Sequence, residues 1–169
     1  MVFSSFEFIF LFLPIAYVVL AILARFRAAR LSIIWLLLAS LVFYAYWNPY
    51  YLVLIIGSIL VNYGAGYLID PDRQTSQGVR RTLLTLILVL NLALLAYFKY
   101  LVFFVDTARA LDMTNMTMGK IILPIGISFF TFQQISYQVD RYRGQVSNKN
   151  FLNYALFVVY FPQLIAGPI

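Results

Sequence analysis

Apolar residues fall into six long runs along this chain of 169 residues, and short polar connectors separate the runs. Most of the runs approach the roughly 20 residues that an α-helix needs to cross about 30 Å of hydrocarbon. The pattern predicts an all-α, polytopic integral membrane protein with about six transmembrane helices. The predicted spans cover residues 2–24, 31–47, 50–69, 82–105, 121–139 and 151–165.

The composition supports this class and narrows the chemistry. Hydrophobic residues make up 63% of the chain and charged residues 11%, whereas about a quarter of the residues in a soluble domain are charged. The sequence contains no cysteine and no histidine. Disulfide bonds, thiol chemistry, the usual zinc sites and a histidine base are therefore excluded within these residues, and no metal site is expected.

The basic residues are distributed unevenly between alternate connectors. Nine of the twelve follow the first, third and fifth spans, and three lie near the other connectors. The nine are Arg25, Arg27, Arg30, Arg73, Arg80, Arg81, Arg141, Arg143 and Lys149, and the three are Lys99, Arg109 and Lys120. Cytoplasmic loops carry the excess of basic residues, so the N-terminus is predicted outside, with both ends of the chain on that face. The net charge of +6 is thus explained by topology and not by nucleic-acid binding.

Small residues in the third span indicate close helix packing. Glycines let neighbouring backbones approach, and a membrane-embedded asparagine can hydrogen-bond to another helix. The predicted helix-packing residues are Gly57, Asn62, Gly64 and Gly66, together with Gly126 at the start of the fifth span.

The fifth span carries polar residues at a depth where each one costs free energy unless it is paired or lines a wet cavity. At 100° per residue, one face of the helix combines Gly126, Phe129, Gln133, Ser136, Tyr137 and Asp140, with Gln134 and Gln138 to one side. Two interpretations stay open. The face forms a hydrogen-bond ladder between helices, with Asp140 paired to Arg141 or Arg143, or it lines a substrate cleft through Gln133, Ser136 and Asp140.

The last nine residues, FPQLIAGPI, cannot continue a regular helix because they contain two prolines and a glycine. Irregular backbone at membrane depth persists only where protein or a wet cavity satisfies its polar groups. Pro162, Gly167 and Pro168 are therefore predicted to line an internal cavity.

Several motifs occur in an order that resembles a known family. They are MVFSS at 1–5, YFKY at 97–100, LPIGISF at 123–129, ISY at 135–137 with DRYRG at 140–144, and FP at 161–162 with GP at 167–168. Together they resemble the membrane-bound O-acyltransferase family, and within it the branch that acetylates exported, alginate-like polysaccharides. The likeness covers all 169 residues.

This resemblance implies a bacterial inner-membrane, multi-pass enzyme domain of which residues 1–169 form the N-terminal part. It also implies an acyl thioester donor, either acetyl-CoA or an acyl carrier, which this chain is not expected to hold as a bound cofactor. The implied partners are membrane lipid, periplasmic acetyltransferases and an exported polysaccharide acceptor. The family's presumed catalytic histidine lies well downstream of the Gly-Pro motif, so no catalytic residue is assigned here, and the fragment is predicted to be inactive alone.

Two hypotheses from other classes remain. A small transporter or channel would also place glutamines and an aspartate inside a helix bundle, although such proteins more often show internal repeats. A non-catalytic membrane scaffold would fit the absence of histidine.

Overall fold

The computed structural model describes residues 5–73, 75–110, 124 and 126–166, and within these ranges the chain is helical. A π-helical segment, Glu7–Phe12, continues directly into the first α-helix. The α-helices are α1 (Leu13–Arg25), α2 (Ala29–Trp47), α3 (Pro49–Ile69), α4 (Gln77–Ala110), α5 (Ile127–Tyr142), α6 (Phe151–Val159) and α7 (Phe161–Ala166).

Among the residues that the structure describes, four helical segments are long and apolar enough to cross a membrane, as judged by length and composition. They are Glu7–Arg25, Ala29–Tyr46, Pro49–Ile69 and Gln77–Leu101. These segments coincide with the first four predicted spans, and the all-helical membrane class is confirmed. The number of spans and the side of the N-terminus stay predictions.

The fifth and sixth predicted spans differ from regular membrane-length helices. Residues 121–123 and 125, at the start of the fifth, lie outside the described residues, and α5 itself has 16 residues. The sixth is divided at Tyr160 into α6 and α7. Tyr160 has ψ 106°, which is outside the helical range. Pro162 follows as the second residue of α7, where a missing N–H costs little.

The chain contains two compact units, one from Met1–Tyr63 with Ser147–Ile169 and one from Gly64–Val146. The core of the first unit is a cluster of phenylalanine rings from the π-helical segment, α2 and α7. Ring centroids lie 5.6 Å apart for Phe8 and Phe43, and 5.3 Å apart for Phe12 and Phe161. The rings of these two pairs meet edge to face, an arrangement that aromatic pairs prefer.

A serine of α2 supports the break between α6 and α7. The backbone N–H of Phe161, at the start of α7, donates a hydrogen bond to Ser40 Oγ at 3.3 Å. The Ser40 hydroxyl itself donates to the carbonyl oxygen of Leu36 at 2.7 Å. Both Ser40 and Phe161 are buried, so this contact satisfies a polar group that the helix break leaves without its usual partner.

Ser40→Ala is expected to lower the free energy of unfolding by about 1–3 kcal/mol, because the buried N–H of Phe161 loses its acceptor. The matched control is Ser32→Ala, since the Ser32 hydroxyl makes the same kind of bond within α2, to Ala28 O at 3.2 Å. Denaturant unfolding of the two variants in detergent micelles measures the difference. Equal losses of stability for both serines would show that Ser40 does not support the break.

In the second unit, α4 packs against α5, and the last turn of α3 also contacts α5. This unit holds most of the buried polar side chains that the sequence singled out.

Candidate functional site

The buried face of α5 is unusually polar for a helix packed inside a bundle. Its buried residues recur mainly at intervals of three and four, which is the spacing of one helix face. They are Ile127, Phe130, Thr131, Gln133, Gln134, Tyr137, Gln138 and Arg141. Three glutamines, one threonine and one arginine are therefore withdrawn from solvent within four turns.

The buried face is turned by about 100° from the polar face predicted from the sequence, taking 3.6 residues per turn. Of the predicted candidates, Gln133 is buried, Asp140 is half-buried and Ser136 is exposed. Gln134 and Gln138, predicted to lie to one side, are fully buried. The difference has a physical cause: Ile127 and Phe130 fix which side of the helix packs inward, and the glutamines on that side follow them.

Gln133 and Thr131 are buried without hydrogen bonds to any described residue. Gln133 is 5% exposed, and neither its amide nitrogen nor its amide oxygen has a partner there; the same is true of the Thr131 hydroxyl. Leaving such groups unsatisfied costs about 1–3 kcal/mol each. A buried polar group of this kind requires an explanation, and contact with a ligand, with water or with a further segment would supply one.

A buried ion pair joins α5 to the end of α3. Arg141 Nη2 lies 2.9 Å from Asp70 Oδ2, and each side chain is 4% exposed. Arg141 also donates to Gly66 O at 3.2 Å and to the hydroxyl of Tyr137 at 3.3 Å. The other carboxylate oxygen of Asp70 accepts the N–H of Asp72 at 3.0 Å. Several hydrogen bonds thus surround both charges, as a buried ion pair needs.

A second arginine connects three helices at the same end of the unit. Arg80 of α4 donates to Ile69 O at 2.6 Å and to Tyr142 O at 2.7 Å. These two carbonyls end α3 and α5, where helices carry partial negative charge and lack hydrogen-bond partners of their own. Arg80 therefore caps both helices with one guanidinium group.

The sequence prediction for these charges needs correction. Arg141 pairs with Asp70, so the pairing of Asp140 with Arg141, one of the two partners that the hydrogen-bond-ladder interpretation offered, is wrong. Adjacent residues on a helix do not face each other, so Asp140 and Arg141 point to different sides. Arg80 was expected only to mark the cytoplasmic side. The available clue was Asp70, a carboxylate placed directly after the apolar run of α3 in a chain with only six acidic residues.

The predicted helix-packing residues play different parts. A Cβ atom added at Gly66 would lie 3.1 Å from Tyr137 Cε1, whereas at Gly57 and Gly64 it would meet nothing within 4 Å. Asn62 is buried, and its amide donates to Ser58 O of the same helix at 3.0 Å. Gly126 has φ 70°, a left-handed conformation that favours glycine at the start of α5.

The first unit contains a groove at the break between α6 and α7. Its volume is about 320 Å³, and it is lined by Leu36, Asn153, Leu156, Phe157, Tyr160 and Gln163. A second cavity of about 230 Å³ shares the lining residues Leu36 and Tyr160 with this groove. Pro162 is half-buried in α7, and Gly167 and Pro168 lie outside the described residues. Pro162 is not a lining residue of this groove, and the cavity-lining role of Pro162, Gly167 and Pro168 stays a prediction.

A further cavity of about 240 Å³ lies between the π-helical segment with α1 and helix α2. Its walls are apolar side chains, among them Phe12, Ile15 and Trp35. The indole N–H of Trp35 donates to Ala16 O at 3.1 Å, so this side chain links α1 to α2.

The apolar helices and the buried polar face together define a class: a helical membrane protein with polar groups in its interior. Comparison with known proteins then identifies homologues. The chain is 38% identical over 195 aligned residues to the peptidoglycan O-acetyltransferase of Helicobacter pylori, with 100% of this chain and 37% of the relative aligned. It is 42% identical over 174 residues to the probable alginate O-acetylase of Pseudomonas aeruginosa, with 100% and 32% aligned. The corresponding protein of Azotobacter vinelandii is also 42% identical over 174 residues, with 100% and 34% aligned.

These relationships confirm the resemblance drawn from the motifs: the chain is homologous to the O-acetyltransferases of the membrane-bound O-acyltransferase family. The chain spans about a third of the length of these curated relatives. No family model matches the chain, and no solved structure matches it.

Proposed function

We propose that this chain is part of a multi-pass, bacterial inner-membrane O-acetyltransferase that acetylates an exported, alginate-like polysaccharide. One observation carries the proposal: the whole chain aligns with glycan O-acetyltransferases at 38% and 42% identity. The acetyl donor is a thioester, either acetyl-CoA or an acyl carrier, and periplasmic acetyltransferases act with it.

The acetyl-transfer reaction determines which catalytic roles these 169 residues can have. A sugar hydroxyl attacks the thioester carbonyl, a base takes the hydroxyl proton, and the thiol leaves. An imidazole suits this proton transfer because its pKa lies near neutrality, and the sequence contains no histidine. The base is therefore supplied by residues beyond these 169, and the chain alone does not transfer acetyl groups.

The buried face of α5 supports a role along the acyl path. Its side chains provide amide donors in a setting from which water is withdrawn, where hydrogen bonds to a developing oxyanion are strongest. Gln133 is the best candidate because no described residue engages its amide. Ser136 and Asp140, being exposed and half-buried, would line that path only through contact with further segments.

A chimera tests the proposal in cells. The aligned third of the Pseudomonas aeruginosa relative is replaced by this chain in a strain that lacks the native gene, and the alginate is analysed for acetate esters. We expect acetylated alginate from the chimera and none from the 169 residues expressed alone. A membrane-inserted chimera that yields unacetylated alginate would contradict the proposed acceptor. Acetylation by the chain alone would contradict the proposal that the base is supplied by residues outside these 169.

The name of the Helicobacter pylori relative supplies a second acceptor for the same test. The equivalent chimera with that relative is assayed for acetylated peptidoglycan. Activity of the Helicobacter pylori chimera alone would identify peptidoglycan, and not an alginate-like polysaccharide, as the acceptor of the same acetyl-transfer reaction.

A further inference from the structure

The groove at the α6–α7 break, here called the Tyr160 groove, combines three polar side chains with an apolar floor. Asn153, Tyr160 and Gln163 supply two amides and a phenol, and Leu36, Leu156 and Phe157 supply apolar surface. Asn153, Leu156, Phe157 and Tyr160 are spaced at i, i+3, i+4 and i+7. One face of α6 therefore forms a continuous wall of the groove.

The groove lies at membrane depth. Leu36, part of its floor, stands near the middle of the apolar segment Ala29–Tyr46 of α2. Amide and phenol groups at that depth cost free energy unless they face water, protein or a ligand. The polar side chains of the groove therefore need a partner of one of these kinds.

The helix break that shapes the groove is supported by its surroundings. The N–H of Phe161 is bound by Ser40, and the Phe161 ring packs into the phenylalanine cluster of the first unit. Tyr160 and Gln163, on either side of Pro162, are held in place by this anchoring. Broken helices beside a cavity at membrane depth recur in proteins that bind substrates within the bilayer.

We propose that the Tyr160 groove binds an uncharged substrate segment that carries amide or hydroxyl groups along an apolar framework; the substrate assignment rests on the proposed function. The described residues that line the groove include no charged side chain, so phosphates and carboxylates would not be matched by them. Amides and a phenol pair with amides and hydroxyls, while Phe157 and the leucines cover carbon surface. The volume of about 320 Å³ lies in the range of small-molecule sites.

Two sources offer this chemistry in an acetyl transfer. One is the pantetheine arm of the thioester donor, which carries two amides on an aliphatic chain. The other is an uncharged sugar ring of a glycan acceptor, which carries hydroxyls on a ring with apolar faces; a uronate ring, as in alginate, carries a carboxylate and does not fit this lining.

Cysteine labelling separates these sources without depending on catalysis. Because the sequence has no cysteine, Gln163→Cys gives a single reactive thiol in the groove, and the full chain is reconstituted in lipid nanodiscs. The probes are S-acetylpantetheine and a neutral oligosaccharide, and the readout is the rate of maleimide labelling. The control is Gln145→Cys, at an exposed position in the connector that follows α5.

We expect one probe to slow labelling of Gln163→Cys about tenfold at a concentration about ten times its dissociation constant, because the free fraction of the site equals 1/(1 + [L]/Kd). Protection by S-acetylpantetheine assigns the groove to the donor, and protection by the oligosaccharide assigns it to the acceptor. Asn153→Cys repeats the measurement from α6 should the first variant misfold. Failure of both probes at both positions, or equal protection of Gln145→Cys, would overturn the site even if the chimera acetylates alginate.

Discussion

Arg141→Leu is expected to lower the free energy of unfolding by about 3–5 kcal/mol, because it leaves the Asp70 carboxylate buried without its cation. The pair is 2.9 Å apart, and each side chain is 4% exposed, so water cannot replace the missing partner without opening the unit. The same change removes the hydrogen bonds to Gly66 O and to the Tyr137 hydroxyl. Denaturant unfolding of the purified protein in micelles measures the loss.

The double variant Asp70→Asn with Arg141→Leu distinguishes the ion pair from general packing. Since it leaves no unpaired buried charge, its stability is expected to exceed that of Arg141→Leu alone. Arg143→Leu is the control, because Arg143 is exposed and lies two residues away. An equal loss in Arg143→Leu, or losses that simply add in the double variant, would argue against a coupled pair.

Gly66→Val is expected to destabilise the second unit by about 1–3 kcal/mol through overpacking. A Cβ at this position would lie 3.1 Å from Tyr137 Cε1 and 3.4 Å from Gln138 Oε1. The Tyr137 ring has little freedom to withdraw, because its hydroxyl is bound by Arg141. Any shift of the Gly66 backbone would also disturb the bond from Arg141 to Gly66 O.

Gly64→Val is the matched control for Gly66→Val. It makes the same change of side chain two residues earlier in α3, where an added Cβ meets nothing within 4 Å. Thermal unfolding in micelles should therefore separate the two variants by at least about 1 kcal/mol. Similar midpoints would mean that helix propensity dominates and that α3 and α5 do not pack closely at Gly66.

The four membrane-length helices could be predicted from the sequence because their signal is local. An apolar run of roughly 20 residues with few charges has few alternatives to a spanning helix. The end of regular helix near Pro162 could be predicted for the same reason, because proline restricts the backbone of its immediate neighbours. The break falls at Tyr160, two residues before the proline, where Ser40 of α2 satisfies the freed N–H of Phe161.

The polar site was harder to predict because its residues are placed by partners distant in sequence. Gln134 and Gln138 are buried since α5 turns Ile127 and Phe130 inward, and no polar pattern within the helix fixes that rotation. Arg141 finds Asp70, 71 positions earlier (141 − 70), which a local comparison with Asp140 could not reveal. Arg80 looked like one more cytoplasmic charge, yet it caps the ends of α3 and α5.

The role in acetyl transfer is tested most directly by incorporation of labelled acetyl groups into alginate in vitro. The purified chimera with the Pseudomonas aeruginosa relative is reconstituted with a labelled acetyl thioester and the periplasmic fraction, beside the 169-residue chain alone. We expect alkali-labile acetyl esters on alginate with the chimera and background counts with the chain alone. The native relative is the positive control. If it is active in this assay while a folded, membrane-inserted chimera gives only background counts, the proposed role of this chain in acetyl transfer is contradicted.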